Sequence, residues 1–122
     1  LNSYWADGLI ISTPTGSTGY NISCSGPIVM PGSDVFIITP IAPHNLNVRP
    51  LIIPDNKKIT LKLEGRDDEF LVALDARSEP IKIDEELVIE HGEFYMNVVR
   101  TPEHSFFSTI RTKLSWGLDT RN

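Results

Sequence analysis

The sequence predicts a mainly β fold: an antiparallel β-sandwich with one short helix after its first strand and one amphipathic helix near its C-terminus. Three observations carry that expectation. Short apolar stretches recur at near-regular intervals with polar turns between them, as in antiparallel sheets. The nine prolines suit strand starts, edges and loops rather than helix interiors. Near the end, Phe106, Ile110 and Leu114 fall four residues apart, a helical period. At 122 residues the chain can hold one real core but not comfortably two, so a single domain over 1–122 is expected.

Taken in order, "GLIIS" (8–12) is a short continuous apolar run suited to a buried strand. Pro14 and Gly16 then punctuate the chain, and "STGYNISCSG" can form a short helix with Ser17 as N-cap and Gly26 just past its end. "DVFIITPI" (34–41) and "PLIIP" (50–54) read as proline-bounded strands. "KITLKLE" (58–64) alternates, with Ile59, Leu61 and Leu63 facing in and Lys58, Thr60 and Lys62 facing out. "EFLVALD" (69–75), "PIKID" (80–84), "ELVIE" (86–90) and "FYMNVVR" (94–100) complete the strands. A helix follows in "SFFSTIRTKLSWG" (105–117), capped by Ser105 and stopped by Gly117.

Composition narrows the function classes. Hydrophobic residues make up 40% and charged residues 22%, the balance of a globular domain. A net charge of −5 argues against a broad basic face for nucleic acid. The runs "EGRDDE" and "DEE" read as solvated turns. The single cysteine, Cys24, allows no internal disulfide or thiolate metal site and suits a reducing compartment. His44, His91 and His104 show no ligand spacing, and no apolar run reaches the roughly 20 residues of a bilayer span. Leu1 opens the chain without methionine or polar lead-in, as a fragment of a longer polypeptide would.

The chemistry concentrates in "ADGLIISTPTGSTGYNISCSGP" (6–27), which holds four glycines. Glycine lets a ligand approach the backbone, Ser and Thr add hydroxyl donors, and helix N-termini leave backbone N–H groups unpaired. Such a bend suits phosphates, ribose hydroxyls and base edges. It is not a P-loop, since no lysine precedes Lys57, and it matches neither GxGxxG nor GxSxG. On physical grounds alone a structural turn and a ligand loop both remain open.

The segment closely resembles the signature of NAD kinases, "DGL…STPTGSTAYN…GGP". The likeness continues in "ITPIAPHNLNVRPLIIP" (38–54) and in "LDAR" (74–77), and it implies a natural C-terminus at "KLSWGLDTRN". The resemblance implies an enzyme that phosphorylates the adenosine-ribose 2′-hydroxyl of NAD to give NADP. ATP or polyphosphate is the implied donor, and Mg²⁺ the metal of the full enzyme. In that family the C-terminal domain is a β-sandwich. An N-terminal α/β domain carries a Gly-Gly-Asp-Gly motif with the general base, and the ligand sits between the two domains. Neither that motif nor its Asn-Glu/Asp companion occurs here, so this chain resembles the C-terminal domain alone. The resemblance thus implies a chain with no catalytic or metal residue of its own and no activity by itself.

The implied NAD-binding residues follow by position. Thr18 and Ser23 lie on the adenine side, Tyr20 lines the cleft, and Thr15 and Ser17 lend hydroxyls and amides. Gly19 stands where alanine is common, and Ser25 where glycine is. Asp7 and His44 reach the nicotinamide end from a neighbouring subunit, which implies a homodimer or homotetramer. Asp75 matches the aspartate of the "DG" segment, with Ala76 in place of glycine. The implied location is the cytoplasm. Two other readings are a lipid kinase of the diacylglycerol type and a non-catalytic binding module using Trp5 and Trp116.

Overall fold

The computed structural model describes residues 3–103 and 105–117. The expected start at Leu1, His104 and the tail from 118 onward lie outside the described residues. The chain forms two compact units, Leu1–His91 and Gly92–Asn122.

In the first unit, strands β1 (Gly8–Ser12), β2 (Val35–Ile41) and β3 (Leu51–Pro54) make an antiparallel sheet with β2 in the centre. The register runs Gly8↔Ile41 through Ser12↔Ile37, and Val35↔Pro54 through Ile38↔Leu51. Pro40 is tolerated inside β2 because β3 pairs no further than Ile38, so β2 has only one neighbour there.

A second antiparallel pair joins β4 (Ile59–Lys62) to β7 (Glu86–Ile89), in the register Ile59↔Ile89 to Lys62↔Glu86. The expected alternation holds: Ile59 is buried, Leu61 and Leu63 are half-buried, and Lys58, Thr60 and Lys62 are exposed. Phe36 and Ile38 of β2 pack with Ile59, flanked by Leu9, Ile11, Leu51, Ile53, Leu61 and Ile89. The two sheets therefore share one apolar layer, as a sandwich requires.

A third pair, β5 (Glu69–Leu74) with β6 (Arg77–Lys82), is a hairpin closed by Asp75 and Ala76. Here the structure moves the expected 80–84 strand towards the N-terminus. The two-residue loop sets Leu74 opposite Arg77, so pairing begins there, and Pro80 sits opposite Leu71 in a two-stranded ribbon whose outer edge needs no donor.

The central strand is covered on both faces. Side chains alternate along it: Phe36 and Ile38 enter the sandwich core, while Thr39 is hydrogen-bonded to Asn21 beneath the bend. Ile37 and Thr39 are fully buried. The sheet is thus the floor on which the bend rests.

The second unit differs from expectation. "FYMNVVR" (94–100) joins no sheet among the described residues, because a strand exists only where a neighbour takes up its N–H and C=O groups. The helix α2 spans Phe106–Lys113, shorter than 105–117. Ser105 caps it as expected, and Ser105 and Ser108 exchange backbone-to-hydroxyl bonds of 3.1 and 3.2 Å in a capping box. Arg111 and Lys113 in its last turn complement the helix dipole. The stop comes at Ser115, not Gly117: Ser115 is left-handed at φ 52° and the Trp116 N–H returns to the Arg111 carbonyl. Phe106 and Phe107 meet edge to face, 5.9 Å apart. Phe107 and Trp116 are exposed. No helix among the described residues is long and apolar enough to cross a membrane.

Candidate functional site

The bend begins where β1 ends. Pro14 takes the N-cap position of a 3₁₀ turn over Thr15–Thr18, and Gly19 separates this turn from a single α-turn, α1 (Tyr20–Ser23). One continuous helix from Ser17 was expected, and Gly19 explains the break. Its backbone stands at φ −89°, ψ −135°, outside the helical basin, so hydrogen bonding restarts on its far side. The Thr13 hydroxyl receives the Gly16 N–H at 3.4 Å. Gly16 cannot carry a side chain without moving Ser12, whose Oγ would lie 2.8 Å from the added Cβ.

Splitting the helix sorts its residues into two faces. Thr15, Gly16, Thr18, Gly19, Tyr20 and Ser23 face solvent, while Ser17, Asn21 and Gly26 are buried. Tyr20 is 64% exposed. The candidates Thr15, Thr18, Gly19, Tyr20 and Ser23 are therefore all exposed along the bend.

Ser17 is a correction. It neither caps a helix nor offers its hydroxyl outward: Oγ accepts the Val29 N–H at 3.0 Å and donates to the Val29 carbonyl at 3.3 Å. A buried hydroxyl left unpaired would carry a desolvation cost, and Val29 removes it.

Asn21 received no role from the sequence, although it stands in the quoted motif. It is 1% exposed and holds the bend's underside. Its Nδ2 donates to the Ser17 carbonyl at 2.9 Å and the Pro27 carbonyl at 3.0 Å, and its Oδ1 accepts from the Thr39 hydroxyl at 2.6 Å. The available signal was an asparagine inside a hydroxyl-rich segment with a glycine five residues later. Ser25 adopts φ 63°, a left-handed conformation that glycine accepts without strain.

Asp7 and His44 are brought together. Asp7 N–H donates to the Ile41 carbonyl at 2.9 Å, and His44 N–H to the Trp5 carbonyl at 2.8 Å. These bonds tie the loop after β2 to the segment before β1. His44 Nε2 then lies 3.4 Å from Asp7 Oδ1, with both side chains about two-thirds exposed (64% and 67%). So open a pair contributes at most about 1 kcal/mol to stability. Trp5, His44, Asn45, Leu46 and Asn47 line a shallow open cleft beside it. Asp75 stands elsewhere, at the tip of the β5–β6 hairpin with φ 52°, a conformation aspartate tolerates better than most residues.

Fold and bend together define an antiparallel β domain that presents a glycine- and hydroxyl-rich loop to solvent. Residues 1–101 match the family model for the ATP-NAD kinase C-terminal domain, and the chain belongs to that family. The NAD kinase of Flavobacterium psychrophilum is 57% identical over 122 residues, all of this chain and 42% of that protein. Yeast NADH kinase, solved with NADH, superposes with a TM-score of 0.64 at 28% identity over 95% of this chain and 37% of that one. An Archaeoglobus fulgidus NAD kinase solved with ATP gives 0.63 at 36% identity, covering 73% of this chain and 34% of that one. The chain thus spans 42% of the length of these curated relatives.

Proposed function

We propose that this chain is the NAD-binding C-terminal domain of an NAD kinase, which moves a phosphoryl group from ATP or polyphosphate to the adenosine-ribose 2′-hydroxyl of NAD. The observation that carries the reading is the openness of the bend. Thr15, Thr18, Ser23, two glycines and Tyr20 face solvent over a floor whose polar groups are already paired. Thr18 and Ser23 serve the adenine, Tyr20 lines the cleft beside it, and Gly16 and Gly19 let the sugar approach the main chain. Asp7 and His44 take the nicotinamide end in a subunit arrangement of two or four copies, and Asp75, at the tip of the β5–β6 hairpin, is a further candidate for that end from another copy.

Phosphoryl transfer depends mainly on positioning and charge stabilisation. This domain's share is positioning: it presents one ribose hydroxyl to the donor. The general base belongs to an N-terminal α/β domain with a Gly-Gly-Asp-Gly motif, the partner that closes over the nucleotide. Mg²⁺ serves the full enzyme, but among the described residues no three His, Cys, Asp or Glu groups gather to hold a metal, so no step is assigned to it here. The cytoplasm, with its reduced thiols, suits a chain of one cysteine.

The test compares two purified proteins, residues 1–122 and the full-length polypeptide. With NAD, ATP and Mg²⁺, the full-length protein is expected to form NADP and the isolated domain to form none. NADP formation by residues 1–122 alone, or a full-length protein inert towards NAD, defeats the reading.

A further inference from the structure

We infer that Asn21 is the positioning residue of the bend, fixing the outward NAD-binding face from beneath without touching the nucleotide. The inference rests on the function proposed above. Three observations point to it. The Asn21 side chain bonds three separate pieces of chain: the 3₁₀ turn through Ser17, the exit of the bend through Pro27, and the central strand through Thr39. It is buried at 1% exposure, where water cannot replace a lost partner. Gly26 lies flat against it, and a Cβ at Gly26 would fall inside the Asn21 amide.

The residue type follows from the geometry. The site asks for two N–H donors and one acceptor at the end of a single methylene. Aspartate has the shape but would face two carbonyl oxygens with a carboxylate. Glutamine has the groups but needs room that Gly26 leaves no space for. Leucine leaves the Ser17 and Pro27 carbonyls and the Thr39 hydroxyl without this partner. The outward residues Thr18 to Tyr20 lie between Ser17, whose carbonyl Asn21 holds, and Asn21 itself, so their placement depends on this clamp. A loosened bend must be ordered again whenever NAD binds, which weakens NAD binding and leaves the phosphoryl donor's site alone.

The experiment measures steady-state kinetics of the full-length polypeptide, with Asn21→Asp, Asn21→Ala, Gly26→Ala, Asn21→Ala/Gly26→Ala and Thr39→Val. The KM for NAD is expected to rise about tenfold or more in Asn21→Asp and Asn21→Ala, with the KM for ATP within twofold of wild type. Gly26→Ala should act the same way, because its methyl displaces the amide. Added to Asn21→Ala it should raise the KM for NAD no further, since the obstructed group is already gone. Thr39→Val removes one bond at nearly constant volume and should raise the same KM by about threefold, which decides the matter if the Asn21 variants fail to fold. A residue that merely holds the fold together would reduce the amount of active enzyme, lowering apparent kcat with both KM values unchanged. That result overturns the inference, as does an additive effect of Gly26→Ala and Asn21→Ala. A wild-type protein that does not phosphorylate NAD overturns the proposed function and this inference with it; an active wild type with unmoved KM values overturns the inference alone.

Discussion

Two stretches of this chain share a strand-forming composition and meet opposite fates. "VFIITPI" (35–41) becomes the central strand β2, paired on both sides over part of its length, with Ile37 at 0% exposure. "FYMNVVR" (94–100) joins no sheet among the described residues, and Phe94 and Val99 stand 83% and 94% exposed. Aromatic and β-branched residues suit a pleated, half-buried surface, but they do not create one. Among the described residues, what separates the stretches is whether sheet neighbours pair with their backbone and cover their side chains. The bend shows the benefit on the β2 side: two β2 faces, one buried in the sandwich and one under Asn21, give a loop of glycines and hydroxyls a rigid floor.

The widest separation between the two stretches should come from truncating each at one apolar residue. Ile37→Ala, at a fully enclosed site, is expected to lower stability by about 2–5 kcal/mol. Val99→Ala should fall within about 0.5 kcal/mol of wild type. Urea unfolding of the two variants reads the difference, and equal losses would refute the contrast.

A smaller effect tests the bend itself. Ser25→Gly, at φ 63°, relieves left-handed strain of about 1–2 kcal/mol. It also gives the unfolded chain more freedom, at a cost of about 0.5–1 kcal/mol. A net gain between zero and about 1.5 kcal/mol is expected, visible as a higher midpoint of thermal unfolding. A lower midpoint would mean that the Ser25 side chain contributes something beyond its backbone shape.

The smallest effect concerns the sandwich's outer face. Glu86, directly across the ladder, hydrogen-bonds Lys62 at 2.7 Å and, with its charge, holds the lysine above the ordinary value of 10.5. A raised folded-state value means that the stabilisation is fully present below pH 10.5 and fades as pH climbs through the folded value. Lys62→Met should therefore lose a little stability at neutral pH, and the gap from wild type should narrow under alkaline conditions. A gap that widens with pH would contradict the pairing.

Much of this was legible in advance for a definite reason. Alternation at 59–63 reports directly which side chains face the core, because the pleat has a period of two. Ser105 followed by a helical period marks a cap whatever surrounds it. The glycines and hydroxyls of 13–19 mark a ligand-type bend by composition, and the family resemblance drew the candidates Thr15 to Ser23 from that one segment. Less legible was the orientation inside the bend. Nothing local distinguishes Ser17, which turns in to Val29, from Thr18, which faces out. Gly19 was visible as a weak point, but where helical bonding restarts depends on the sheet below.

By itself, then, the sequence determined the β class, the sites of most strands, the capped terminal helix and the segment where a ligand is expected, because those follow from periods and residue chemistry within a few positions. Tertiary structure decided the rest: that 94–100 joins no sheet among the described residues, that β6 begins at Arg77, that Asp7 meets His44, and that Ser17 and Asn21 turn inward beneath the bend. Apart from the β6 start, which the tight turn at Asp75 and Ala76 sets, each of these turns on neighbours distant in the chain, and hydrogen bonds and burial are assigned by proximity in space.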